Sequence, residues 1–338
     1  MHSLAASTAG TRHAGHLPFM AADVGGTHAR LALAGRVTDR ADRIELQHYR
    51  TYRCAEHAGL GEILADFMAG AGTVVERAVI ASAGHALPDG VVVARNLPWP
   101  LPLPQLRRSL GLRDLHLIND FAAVAHAAAG LAPEQSRHLC GPDRAPAGPV
   151  LVLGPGTGLG TALVMGDGAA VRVLPSEAGQ MSLAASSARE LDVLALMLGE
   201  HGHVSREHAL SGPGLHNLYR ALCRLDGRAP AQGGPQDVSR AGIERSDAHA
   251  TEALALFCAL LGSTAADLAL SFGARGVYLA GGILPQLYPF LLASTFARRF
   301  EDKGAMRAVL RDIPVRVIEH GQLGVIGAAR WLLDQADA

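Results

Sequence analysis

Two glycine-rich stretches decide the reading of this chain: Asp23-Val24-Gly25-Gly26-Thr27 and Gly154-Pro155-Gly156-Thr157-Gly158-Leu159-Gly160. Each is flanked by apolar runs. Phe19-Met20-Ala21-Ala22 leads into the first and Arg30-Leu31-Ala32-Leu33-Ala34 follows it; Val150-Leu151-Val152-Leu153 leads into the second and Thr161-Ala162-Leu163-Val164-Met165 follows. Apolar runs on both sides of a tight glycine turn predict strand, turn, strand. The pattern recurs about 130 residues on, which reads as one supersecondary unit used once in each of two domains. Glycine lets the backbone come close to an anion and adopt unusual dihedrals, so that successive N–H groups converge on phosphate oxygens. Thr27 and Thr157 can add hydroxyl donors. A dinucleotide-binding turn is the rival, but its fingerprint needs glycine where Leu159 stands and runs on into a helix. Here a strand resumes at 161, so a hairpin fits better. For either stretch alone, a purely structural turn is the other reading.

Outward from these turns, apolar patterning predicts a helix over 60–71 and strands at 78–82 and 91–94. A proline-rich loop at 97–104 opens a helix to 110; a strand at 115–118 and an alanine-rich helix at 121–129 follow, with Gly130 as its stop. The second half is mainly helical, at 191–198, 215–225 and 250–271. Strands are predicted at 277–280, ending on Gly281-Gly282, and at 314–317, with a last helix at 324–333. Strands alternating with helices mean an α/β protein. Residues 1–17 lack the apolar stretch of a signal peptide and read as a loose tail.

Composition narrows the function. A chain of 338 residues suggests two domains, and 49% hydrophobic against 18% charged residues is ample for a buried core. The net charge of −1 gives no electrostatic reason to expect nucleic acid or an anionic membrane as partner. No apolar run approaches the ~20 residues of a membrane helix. The single lysine, Lys303, is followed by Gly304, which excludes a P-loop and a protein-kinase fold. Cys54, Cys140, Cys223 and Cys258 stand far apart, which argues against a zinc site or disulfides and fits a reducing cytosol.

Several acids and amides could carry chemistry. Asp23, at the first turn, is repelled by a polyphosphate unless a cation lies between them, so it is a candidate to hold Mg²⁺ through water; a turn-stabilising role is the alternative. Asn119-Asp120 falls where a strand gives way to a helix. Asp120 is either the helix N-cap or a general base for a hydroxyl attacking a phosphoryl group, with Asn119 holding a neighbouring hydroxyl. Glu177 and Glu207 suit a polyol, because acceptor pairs can bind adjacent hydroxyls; singly, each reads as a solvated acid. His201, His203 and His208 cluster loosely without a suitably spaced carboxylate, and surface histidines are the better reading.

In combination, the motifs resemble those of the bacterial glucokinases. They are Asp23-Val24-Gly25-Gly26-Thr27-His28, Leu117-Ile118-Asn119-Asp120-Phe121, Gly154 to Gly160, Ser211-Gly212-Pro213-Gly214-Leu215, Leu279-Ala280-Gly281-Gly282 and Phe300-Glu301-Asp302-Lys303-Gly304. The resemblance runs from about Phe19 to the C-terminus. It implies a two-domain actin-like ATPase (ribonuclease H-like) fold with a cleft between lobes. The small domain would be 18–131 with the helix at 322–338 returning to it, and the large domain 132–321. It implies ATP-dependent phosphorylation of glucose, with ATP and Mg²⁺ as cofactors and Asp120 as base. Ala22, Asp23, Val24, Gly25, Gly26, Thr27, Gly156, Thr157, Gly158, Gly281 and Gly282 would hold the nucleotide; Asn96, Asn119, Asp120, Glu177, Gln180 and Glu207 would hold the sugar. A cytoplasmic glycolytic enzyme, homodimeric, with no nucleic-acid or membrane partner, completes the expectation. Two positions depart from the family: Gln180 stands where a histidine is usual, and His28 where an asparagine is. Gln180 leaves open a hexokinase of altered specificity or a sugar sensor without catalysis, although only about twenty residues precede Asp23, too few for a DNA-binding module.

Overall fold

A computed structural model of the chain describes residues 18–37, 40–83, 85–87, 91–93, 97–166, 171–319 and 321–336. The chain divides into two compact units. One runs to Ile80 and takes in the stretch ending at His116; the other takes Ala81–Ala83 and the chain from Leu117 onward.

In the first unit the opening apolar run forms β1 (Phe19–Val24), with every side chain but that of Asp23 buried. Burial on both faces marks a central strand. The Gly-Gly turn folds β2 (His28–Val37) back antiparallel, pairing Phe19 with Ala34 through to Val24 with Ala29. β3 (Arg40–Arg53), β4 (Arg77–Ser82) and β8 (Asp114–Ile118) complete a sheet of order β3-β2-β1-β4-β8. A small sheet joins β5 (His85–Ala86), β6 (Val91–Val93) and β7 (Leu101–Pro102). Helix α1 (Leu60–Gly70) buries Leu60, Ile63, Leu64 and Phe67, the spacing of one helical face; α2 (Leu103–Ser109) follows.

The second unit repeats the plan. β10 (Val150–Pro155), β11 (Leu159–Met165) and β12 (Arg172–Ser176) form an antiparallel meander, and β13 (Gly276–Leu279) and β14 (Val315–Ile318) add in parallel on the other side of β10. β9 (Ser136–Cys140) closes the edge beyond β14, giving β12-β11-β10-β13-β14-β9. Counted from β1 in one and from β10 in the other, five strands of each main sheet run third, second, first, fourth, fifth, with β9 added beyond the last in the second. The echo seen in the two glycine turns thus extends to the whole sheet.

The helices of this unit are α3 (Asp120–Ala128), α4 (Ala188–His201), α5 (Gly212–Leu225), α6 (Pro235–Ile243), α7 (Ala248–Phe272), α8 (Leu284–Ala293), α9 (Phe296–Glu301), α10 (Arg307–Arg311) and α11 (Leu323–Ala336). Helix α7 corrects one expectation: at 25 residues it is long and apolar enough to cross a membrane. It is a core helix instead, mostly buried and flanked by α5, α6 and α9. Its ends are well made, with the Asp247 carboxylate accepting from Ala250 N at 3.1 Å and Gly273 closing it at φ 63°. The buried Arg299 guanidinium bonds Glu190 and Ser263, joining α9 to α4 and α7 with each charge paired. Helices α3 and α11 cross closely: a Cβ on Gly327 would lie 1.6 Å from the Ala123 carbonyl oxygen. Residues 117–131 and α11 therefore sit together in the second unit. All four cysteines are free, and burial pushes the thiols of Cys140 and Cys258 up to about 12.

Candidate active site

The second unit gathers most of the residues singled out above. Its glycine turn is the tip of the β10–β11 hairpin, where Gly156 N donates to Gly158 O at 2.8 Å. Thr157 is exposed at the apex and its two glycine neighbours are half-buried. Gly212 N, at the start of α5, donates to Gly156 O at 2.8 Å, so the positive end of a 14-residue helix lies against the turn. Gly281 follows β13, whose C-terminal end lies beside that of β10. A Cβ there would stand 2.1 Å from the Pro155 carbonyl oxygen, whereas Gly282 faces open space. Converging C-terminal ends of parallel strands are the usual ligand position in such sheets.

Asn119 and Asp120 divide their work in a way the sequence left open. Asn119, not Asp120, is the N-cap of α3: its Oδ1 accepts from the N–H groups of Phe121 and Ala122, both at 2.9 Å. That engages its carbonyl oxygen and leaves its amide NH₂ as the end that can meet a hydroxyl. Asp120 is the first helical residue, with Oδ1 accepting from Phe121 N at 2.8 Å. Burial raises its pKa; the Phe121 and Asp120 amides pull it back, and the negative charge of Glu177 raises it again.

The ring of the next residue, Phe121, packs against the hairpin. A Cβ on Gly154 would lie 2.3 Å from its ring, and one on Gly160 2.1 Å. The two glycines are cross-strand partners, so together they form a seat for the ring. The sequence reading assigns Gly156, Thr157 and Gly158 to the nucleotide and gives Gly154 and Gly160 no such contact.

Glu177 is exposed and precedes a short 3₁₀ turn, Ala178–Gln180, in which Gln180 N donates to Glu177 O at 2.9 Å. Glu207 meets this segment: its N–H donates to Gly179 O at 2.9 Å and its Oε1 accepts from Gln180 Nε2 at 3.1 Å. Its Oε2 accepts from Leu159 N at 2.8 Å. The His203 ring nitrogen lies 3.0 Å from Gln180 O, and the His201 and His208 rings stack at 4.5 Å. His208 is half-buried, which corrects the surface reading for that residue; burial, with His201 beside it, holds its pKa low. Among the described residues no cluster of three His, Cys, Asp or Glu could hold a metal by itself.

In the first unit, Gly25 N donates to His28 O at 3.0 Å, and Thr27 O accepts from Cys54 N at 2.9 Å. Gly25, Gly26 and Thr27 are exposed. Ala22 and Val24 are buried in β1, so only their backbone is available to a ligand. Asp23 pairs across the hairpin with Arg30 at 3.4 Å and is half-buried. His28 is half-buried, opposite Arg53 of β3. Asn96 lies outside the described residues.

A family model described as glucokinase matches residues 20–335. The chain belongs to the glucokinase family. It is 48% identical to a glucokinase-like protein of Xylella fastidiosa (strain Temecula1) over 327 residues, 96% of this chain and 98% of that one. It is 39% identical to a glucokinase of Photorhabdus laumondii subsp. laumondii over 317 residues, 94% and 97% of the two chains. The crystal structure of a glucokinase from an Antarctic psychrotroph superposes with a TM-score of 0.81 at 33% identity, covering 93% of this chain and 98% of its own. As a glucokinase-family member the chain has the α/β, actin-like ATPase fold of the sugar kinases, and it is an enzyme, a sugar kinase.

Proposed function

We propose that the chain transfers the γ-phosphoryl group of ATP to the 6-hydroxyl of glucose, with Asp120 as general base. The observation that carries this is the division at the start of α3. Asn119 caps the helix, so the cap does not consume the Asp120 carboxylate, while the neighbouring Phe121 ring anchors the start of α3 on the glycine hairpin. Phosphoryl transfer of this kind is largely dissociative, and the base need only take the proton late, so a positioned carboxylate suffices.

Around that base, the Asn119 amide, Glu177, Gln180 and Glu207 supply donors and acceptors for the sugar's ring hydroxyls. Gly156, Thr157 and Gly158 offer backbone N–H groups and a hydroxyl to phosphate, backed by the α5 N-terminus, and Gly281-Gly282 can admit the adenosine. Gly25, Gly26, Thr27 and the backbone of Ala22 and Val24 are proposed as further nucleotide contacts, a reading supported by likeness to the family. The donor set fits a Mg²⁺ that arrives on the nucleotide: Asp23 is a single half-buried carboxylate, loosely paired at 3.4 Å, able to hold a metal-bound water. Such an ion neutralises phosphate charge as the bond to the leaving oxygen breaks. We place this activity in the cytoplasm, at the entry to glycolysis, in a homodimer, by the same likeness.

Glucose as the substrate rests on the glucokinase relatives, and Gln180 is where it can fail. The Gln180 NH₂ is engaged by Glu207, which leaves its Oε1 to accept from a sugar hydroxyl. A hydroxyl left unmatched costs about 1–3 kcal/mol. A coupled ADP assay with MgATP across glucose, mannose, glucosamine and fructose is expected to give glucose the highest kcat/KM. Equal values across the panel would make the enzyme a hexokinase of other specificity, and no turnover with any of them would contradict the proposed reaction.

A further inference from the structure

Glu207 touches more than the sugar pocket assigned to it. β12 stops at Ser176, opposite Thr161, two residues short of Leu159, so the Leu159 amide has no strand partner on that side. Glu207 Oε2 takes that place at 2.8 Å, and a Cβ on Gly158 would lie only 2.5 Å from the same oxygen. The bond sits behind the turn, because Leu159 is buried while Thr157 is exposed at the tip. The segment around Glu207 reinforces it. Ser211 Oγ donates to Glu207 O at 2.8 Å, and Gly212 N holds Gly156 O. A turn rich in glycine has no side chains of its own to fix its shape, and a carboxylate accepting a backbone N–H is a charge-assisted bond, stronger than a neutral one.

We propose that Glu207 is a positioning residue for the nucleotide: one carboxylate oxygen fixes the Gly156–Gly158 turn from behind through Leu159, while the other, on Gln180, ties that shape to the sugar-binding segment. Nucleotide affinity then depends on a residue whose second face serves the sugar. This rests on the function proposed above, and it assigns a role to Glu207 beyond contact with a hydroxyl. In Glu207→Ala neither Leu159 N nor Gln180 Nε2 keeps its acceptor. In Gln180→Ala the Leu159 bond stays.

The test is titration calorimetry of ADP with Mg²⁺ and no sugar, on the full chain, beside steady-state KM for glucose. Glu207→Ala is expected to weaken ADP about tenfold, and Gln180→Ala to raise the glucose KM while keeping the ADP Kd within twofold. ADP binding unchanged in Glu207→Ala overturns the proposal, and so does an equal loss of ADP affinity in Gln180→Ala. If Glu207→Ala does not fold, Glu207→Asp, one methylene too short to reach Leu159, is read the same way. A wild-type chain that binds ADP yet does not phosphorylate glucose removes the proposed reaction without touching this assignment; one that binds no ADP removes both.

Discussion

The base proposed above, Asp120, is a half-buried carboxylate. Burial and the charge of Glu177 both disfavour its ionised form, and the Phe121 amide restores part of the balance. A base acts only when ionised, so the acidic limb of kcat should lie above that of an ordinary aspartate. Removing the Glu177 charge eases ionisation. In Glu177→Gln, the limb of kcat at saturating sugar is expected to move to lower pH, and a limb that stays put or rises would show that Glu177 does not face the base. Part of this was legible: Asn119-Asp120 places two cap-competent residues in a row, and a helix needs only one. Which of them caps is a matter of φ and ψ at Asn119, which are extended, and no residue type dictates that. The Phe121 seat on Gly154 and Gly160 was not legible, because it joins residues more than thirty positions apart through shape alone.

Among the elements, those with a buried apolar signature were readable: both hairpins, α1, α3, α7 and the strands at the heart of each sheet. The ones missed lie at edges or are short. β3 carries Arg40, Arg43, Glu45, Arg50 and Arg53 and forms the outer edge of its sheet, where charge is a protection against unwanted pairing. β12 contains Pro175 and is also an edge strand, the position that tolerates proline. α8 has Pro289 inside it, and α10 is only five residues long. The crossing of α3 and α11 carries a pH-dependent term of its own. His126 is 8% exposed on α3, with Nδ1 3.9 Å from an Asp334 oxygen. Burial, helped by the Arg330 cation, outweighs that carboxylate and holds its pKa at about 4. The unfolded chain takes up this proton near the ordinary histidine value of 6.5 while the folded chain refuses it. Stability is therefore full above 6.5 and is lost as pH falls towards 4, by about 3 kcal/mol. In thermal melts of wild type and His126→Gln across that window, wild type should lose more stability than the variant as pH falls; parallel curves would mean that His126 protonates freely in the folded chain.

On the scale of the molecule, one sheet plan is used twice, and the copies have diverged in what they carry. The first keeps an exposed glycine turn with Asp23 and Arg30 paired beside it; the second adds β9, sets Asn119 and Asp120 at the start of α3, and brings Glu207 onto Leu159 and Gln180. Length and composition point to two domains and away from P-loop and protein-kinase chemistry, and the chain divides into two compact units. The duplication itself was visible in two short motifs, because a glycine turn is kept where the backbone must come close to something, and here it must do so twice. The reaction proposed above rests on the carboxylate of Asp120. The most direct measurement is glucose-dependent ADP formation by Asp120→Asn, with thermal stability and ADP affinity measured on the same preparation. Asn119 still caps α3 in this variant, so both controls should match wild type while kcat falls roughly 10²–10⁴-fold; turnover within tenfold of wild type would contradict the assignment of Asp120 as the base.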